Sequence, residues 1–480
     1  MIKSKEYYLN TFKVDEDLLY SLCAEALHDG GDFSDLYFEN TGYYNLMLRD
    51  SEVSVGGFHI DYGVGIRVLS GEKTGYAYCE TTERSAMTGA AKAAAAIAAN
   101  ASPSSNYSPR YTRRYVGHSN PSADRYPIVN DWCNADLSAY VPYLEELDRK
   151  VRAKDPRVTN LIAGISGRVS DILMFNSLGE LKYETRPTTN LTLSAIVRQG
   201  DKIERQNASR SFMMGAEMLT PELMDEMVAK VLDRVDERFE AKRPKGGEMN
   251  VVMGAGASGI LLHEAMGHAF EADFNRKGQS IFSDKMGQRI CSRGINIVDD
   301  GTIPFNRGSI NFDDEGVPGQ KTYMVEDGVL TSYLHDRISA SYYGVAPTGN
   351  GRRESFRYMP IPRMRATYMD SGTAKADDII ASVKKGIYVD EFGNGEVQIG
   401  EGDFTFYVRS GYLIENGRLT APVKDINIIG NGPQALADIE MVADDLKIDN
   451  GTWTCGKEQS VQVTCGIPTV LIKKLIVGGE

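Results

Sequence analysis

Two histidines set five residues apart, His263 and His268 in His-Glu-Ala-Met-Gly-His, constrain the fold of this 480-residue chain more than any other feature. The stretch before them, Met249-Asn-Val-Val-Met-Gly-Ala-Gly-Ala-Ser-Gly-Ile-Leu-Leu262, reads as a short buried strand, a glycine turn and the first turn of a helix. In the two-histidine zinc helix with a general-base Glu, the ligands stand four apart and share one face. Five apart on a regular α-helix, two side chains diverge by about 140°, too far to meet one ion. A single wide turn with i to i+5 bonding closes that angle, and such turns concentrate at functional sites. Gly267, which has no Cβ to clash, makes the distortion easy. The sequence therefore predicts a bulge, or a helix end, between His263 and His268. Spacing alone is equally compatible with two satisfied core histidines.

A second motif overlaps the first. Gly254-Ala-Gly-Ala-Ser-Gly259 follows a strand and matches the dinucleotide fingerprint, with Glu271 and Asp273 downstream as ribose ligands. Against an oxidoreductase, no repeated strand-helix-strand series surrounds it, and a dinucleotide helix has no use for His-Glu in its second turn.

Leu262-His-Glu-Ala-Met-Gly-His-Ala-Phe-Glu-Ala-Asp273 resembles the signature of the TldD/PmbA family of metallopeptidases, also labelled modulators of DNA gyrase. The resemblance extends to Tyr62–Tyr78, Asp313-Asp-Glu-Gly316, Gly349–Ser355, Pro362-Arg-Met364, Gly402-Asp-Phe404 and Cys455-Gly-Lys457, nearly the whole chain. The TldD branch fits better, because the PmbA-like branch lacks the His-Glu-His set. The resemblance implies that His263, His268 and Cys455 bind Zn2+ and that Glu264 polarises the bound water. Three protein ligands leave a fourth position open, as a catalytic zinc requires. Glu264 can accept a proton and pass it to the leaving amine.

Composition does not choose among six cysteines, and Cys455 and Cys465 both stand in Thr-Cys-Gly contexts. The resemblance favours Cys455, whose Gly-Lys continuation matches the family's ligand segment, although Glu458-Gln-Ser departs from the family's usual glycine before the glutamine. His335 is a candidate oxyanion donor, set against an ordinary core or surface histidine. Arg352 and Arg353 are candidate holders of a substrate carbonyl or carboxylate, set against structural ion pairs.

A net charge of −13 argues against nucleic acid as a ligand, which needs a basic field. No apolar run approaches the roughly 20 residues of a bilayer helix, the start lacks a signal-peptide core, and scattered cysteines fit a reducing compartment. The expected location is the cytoplasm, with no membrane partner.

The expected fold class is α+β: an N-terminal α/β domain, residues 1–240, with a curved antiparallel sheet, then a mainly antiparallel β domain, residues 241–480, carrying the metal-binding helix. Helices are expected at 16–30, 82–99, 137–153, from Thr220-Pro221 through Phe239, at 374–384 and at 433–447; strands at 43–80 and 157–200; and a long irregular connection with Arg110, Arg113 and Arg114 at 101–128. Gly56-Gly57, Ser70-Gly71, Phe392–Gly395 and Glu415–Gly417 read as turns.

The reading reached is a zinc-dependent peptidase acting on unfolded or extended peptides. The resemblance implies paired subunits, as a homodimer or a heterodimer with a PmbA-like chain. The alternative is a non-catalytic peptide-binding or scaffold subunit. Glu264 favours the enzyme, since a structural zinc site needs no free carboxylate beside its ligands.

Overall fold

In a computed structural model the chain is described over residues 3–100 and 124–479, so Arg110, Arg113 and Arg114 lie outside the described residues. The α+β class holds.

The N-terminal half is built on one six-stranded antiparallel sheet. Its strands are β1 (Phe33–Arg49), β2 (Glu52–Ser70), β3 (Lys73–Cys79), β4 (Val158–Asn176), β5 (Leu181–Gln199) and β6 (Lys202–Phe212), in the order β3-β2-β1-β4-β5-β6. Alternation along β1 decides what each face meets. Leu36 and Phe38 pack with Tyr8, Phe12, Leu22 and Ala91 from the helices α1 (Lys5–Phe12), α2 (Glu16–Ala26) and α3 (Arg84–Asn100). Leu46 and Leu48, on the same face, join Val151 of α4 (Val141–Lys154) and Met227 and Val231 of α5 (Pro221–Val231). The opposite face carries Asp35, Tyr37 and Glu39 towards the C-terminal half. Tyr37 packs with Phe312 and Phe356, Arg67 bridges Asp35 and Glu315, and Arg186 pairs with Asp314.

The C-terminal half holds two larger sheets, one led by β7 (Gly247–Met253), and the His263 segment lies between them. Leu261, Leu262, Met266 and Phe270 share a core with Val251, Met253 and Phe406 on one side and with Ile297, Val325 and Met369 on the other. Pairing is mainly antiparallel. Among the described residues the parallel strand pairs, apart from isolated bridges, are β7 with Lys385–Val397, and Ala366–Met369 with Thr464–Ile467.

Four local expectations need correction. The first hairpin turns at Asp50-Ser51, both in the left-handed region, rather than at Gly56-Gly57, which lie inside β2. Asp50 tolerates that conformation because its carboxylate accepts the Leu161 N–H at 2.8 Å and meets Arg152 at 2.9 Å. The helix from Thr220 breaks at Arg234 (φ 50°), whose guanidinium reaches Asp390 at 2.7 Å and the Tyr412 hydroxyl at 3.2 Å; a short helix, Val235–Glu240, follows. Phe392–Gly395 is an irregular stretch inside Lys385–Val397, and the chain reverses instead over 398–402. Gly432–Ala437 ends the helix expected at 433–447, because Ile439–Val442 pairs with Val470–Gly478 as a strand. The turns at Ser70-Gly71 and Glu415–Gly417 are in place, with Asn416 and Gly417 both left-handed.

Candidate metal centre

The glycine turn after β7 is shaped by packing. Gly256 is left-handed (φ 105°), a Cβ on Gly254 would stand 2.5 Å from the Tyr388 hydroxyl, and one on Gly259 would stand 2.6 Å from the Gly466 backbone. Close approach to protein neighbours at Gly254 and Gly259, and a left-handed backbone at Gly256, account for the three glycines without a pyrophosphate. Because the obstacle at Gly259 is main chain, Gly259→Ala is expected to destabilise the protein by about 1–3 kcal/mol, as overpacking does. A denaturation midpoint equal to that of the unmodified protein would show that the turn relaxes freely.

Beyond the turn, Ile260–Leu262 is α-helical, His263–Gly267 forms a π-turn and His268–Phe270 a 3-10 turn. The His268 N–H donates to the His263 carbonyl, the i to i+5 bond that the spacing demanded. The two rings lie with centroids 5.2 Å apart, at 79°. Gly267 contributes differently from the sequence expectation. Its backbone is ordinary right-handed helix (φ −57°), and its missing Cβ makes room for the Met364 sulfur.

The widened turn brings His263 and His268 to Cys455, on the strand Thr454–Lys457. One ligand atom from each lies within 4.8 Å of the others, and all three residues are buried. Cys455 Sγ is 3.2 Å from His268 Nε2. Both ring nitrogens of His263 are buried without a hydrogen-bond partner, a costly state that a metal ion at the cluster would relieve. Two imidazoles and a thiolate suit zinc, whose structural and catalytic sites use these donors. Burial pushes the Cys455 thiol up, but the His263 and His268 rings outweigh it and bring the pKa down to about 4. Cys465, buried in the strand Thr464–Ile467, is pushed well above the ordinary thiol range by burial and by the fields of Asp449 and Glu264. Glu264 Oε2 stands 3.9 Å from His268 Nε2 with its side chain 23 % exposed, so a carboxylate at the open side adjoins the buried donors.

A layer of charge behind the cluster escaped sequence reasoning. Glu271 Oε2 is 3.0 Å from His268 Nδ1 and 3.1 Å from Lys457 Nζ, and Lys457 also reaches Asp273 at 2.8 Å. Arg363 stands 3.7 Å from the other Glu271 oxygen and donates to the Cys455 carbonyl at 2.8 Å. Burial raises the Glu271 pKa, yet Lys457, His268 and Arg363 together hold it at about 2. A carboxylate on the far nitrogen of a ligating histidine fixes its tautomer and ring orientation. Two signals were available: Glu271 stands three residues after His268, and Lys457 two after Cys455 on the same strand. Glu271→Gln is expected to weaken metal binding by about 10–100-fold, read by chelator competition; unchanged affinity would remove Glu271 from this role.

The three weaker candidates lie outside the cluster. His335 is buried against Tyr333 and Tyr343 with Nδ1 unpartnered, and desolvation lowers its pKa to about 4. Arg352 donates to the carbonyls of Met364 and, at 2.7 Å, Gln462. Arg353 lies over the Tyr37 ring at 4.2 Å and is 3.5 Å from Asp35, tying the two halves together.

Residues 246–479 match the PmbA/TldA metallopeptidase C-terminal domain, 34–98 domain 1 and 130–241 the central domain of the same family. A "Metalloprotease TldD homolog" of Haemophilus influenzae is 40 % identical over 459 residues, 94 % of each chain. The chain belongs to the PmbA/TldA metallopeptidase family. A "Zinc metalloprotease TldD homolog" of Saccharolobus solfataricus is 33 % identical over 61 % of this chain and 65 % of its own. The crystal structure of TldE from Thermococcus kodakarensis superposes with a TM-score of 0.74 at 20 % identity, covering 96 % of this chain and all of that one, and so shares the fold.

Proposed function

We propose that this metallopeptidase is a zinc-dependent hydrolase of unfolded or extended peptides, with His263, His268 and Cys455 as metal ligands and Glu264 as general base. The observation that carries the reading is the wide turn that sets two buried imidazoles against a thiolate while a carboxylate stands 3.9 Å from one of them. A zinc ion held there supplies Lewis acidity and a water of lowered pKa. Glu264 Oε2 takes the proton of the attacking water and returns it to the leaving amine nitrogen. Glu271 and Lys457 keep the His268 ring oriented, and burial of the donors excludes bulk water. Extended substrates suit the ribbon that bears Cys455, because Thr454–Lys457 and Gln459–Gln462 pair with no third strand among the described residues.

The proposal includes a division near residue 240 into an α/β unit and a metallopeptidase unit, a cytoplasmic location, and work as a pair with a second copy or a PmbA-like chain. No helix among the described residues is long and apolar enough to cross a membrane.

Elemental mass spectrometry of the purified protein and of His268→Ala tests the site. About one zinc per chain, lost in the variant, is the expected outcome. A fully supplemented wild type without metal would put a non-catalytic peptide-binding subunit first.

A further inference from the structure

A cavity of about 700 Å³ opens between β1, β4 and β5 on one side and the Cys455 ribbon on the other, with Thr454, the residue before the thiolate, on its wall. A recess of about 70 Å³ adjoins it, and the two share Arg168, Arg307, Glu354, Ser460 and Gln462. The balance of charge where they meet is unusual. Arg357, on the larger wall, is neutralised by Asp61 at 3.1 Å and Glu80 at 2.8 Å. Arg186 and Arg353, on the smaller one, have Asp314, Glu184 and Asp35, while Arg352 and Arg365 there donate to backbone carbonyls. Arg168 and Arg307 form no ion pair among the described residues. Arg307 donates to neutral oxygens only: the Trp453 carbonyl at 3.1 Å, Asn190 at 2.7 Å and Ser211 at 2.5 Å, with no hydrogen bond from Nη2 to a described residue. Its pKa is drawn down to about 9 by burial and then by the charge of Arg168, the signature of two cations facing one space. Two acids lie nearby: Glu354 on the shared wall, and Glu39 on the smaller recess, where burial raises its pKa against the opposing charge of Arg168. Glu354 accepts the Ser460 N–H at 2.6 Å, and Glu39 accepts from Thr41 at 2.6 Å and the Phe356 N–H at 2.8 Å.

Two arginines without an ion pair, on the walls of a cavity bounded by the ribbon that bears Cys455, fit a planar anion that the substrate brings. We propose that Arg168 and Arg307 form a carboxylate-binding subsite in this cavity, which anchors a peptide substrate by its C-terminal carboxylate or by an acidic side chain near its end. The proposal rests on the peptidase reading for the nature of its ligand. It assigns to Arg168 and Arg307 the role that sequence had suggested for Arg352 and Arg353.

Binding separates the two ideas, since it needs no turnover. Zinc-supplemented Glu264→Gln protein is titrated, by fluorescence anisotropy, with one labelled unstructured octapeptide in three forms: free acid, C-terminal amide, and amide with a terminal Glu. The free acid is expected to bind roughly ten- to a hundredfold tighter than the amide, the range for a hydrogen bond to a charged group. Arg168→Gln in that background should erase the difference and Arg168→Lys restore part of it. Should the Glu-ended amide match the free acid, the subsite takes either carboxylate; should it match the plain amide, the anion is the chain end; should it alone bind tightly, the anion is a side chain. Equal affinity for all three forms, a preference that survives in both Arg168→Gln and Arg307→Gln, or no binding of any form overturns the proposal. Failure of the peptidase reading would show separately, as wild-type protein that binds the free acid with this preference yet hydrolyses none of the three.

Discussion

Glu264→Gln is expected to keep its zinc and lose about 10²–10⁴-fold in turnover of an unfolded peptide, the usual contribution of a positioned proton acceptor. The substitution preserves size and removes the base. Glu264 is the right position to test because it alone of the His263–His268 set is partly open, while His263 and His268 are buried. Metal content and kcat must be read together. A variant with bound zinc and near-normal turnover would show that the water loses its proton elsewhere, whereas a variant without zinc would make Glu264 a ligand or a structural support.

Cys455→Ala should lose zinc through dialysis, with affinity reduced by more than about a hundredfold, the upper end of what second-layer changes cost at metal sites. Cys465→Ala should retain about one zinc per chain. Both cysteines are buried, 3 % and 1 % exposed, so burial does not separate them. What separates them is surroundings: Cys455 faces two imidazoles, and Cys465 faces the fields of two carboxylates. Equal zinc in the two variants would overturn the ligand assignment.

The unusual spacing of His263 and His268 made the distorted helix legible before any coordinates, because a single geometric demand, two rings on one ion, has few backbone solutions. Alternation likewise exposed the long strands, and Thr220-Pro221 marked a helix start that the structure keeps. Errors fell where tertiary contacts override local signals. Gly56-Gly57 looked like a turn, but Asp50 is held in one by Leu161 and Arg152, residues over a hundred positions away. The α5 stripe looked continuous, but Arg234 turns aside to reach Asp390. The charge layer behind the metal cluster stayed hidden for a related reason. Glu271, Arg363 and Lys457 are scattered over nearly two hundred residues, and only folding makes neighbours of them.

The ionic contacts that join the two halves bear on how the molecule comes apart. Arg67 is fully buried between Asp35 of its own sheet and Glu315 of the other half, and Asp314, pushed up by burial, is brought below the ordinary carboxylate range by Arg186 and Arg353. Cutting the chain at residue 240 would strand these charges without partners in a place that water scarcely reaches, at a cost of several kcal/mol for each. Neither fragment should then be a self-sufficient folding unit. The intact protein should melt in a single cooperative transition, with the His263–His268–Cys455 cluster and the long sheet lost together.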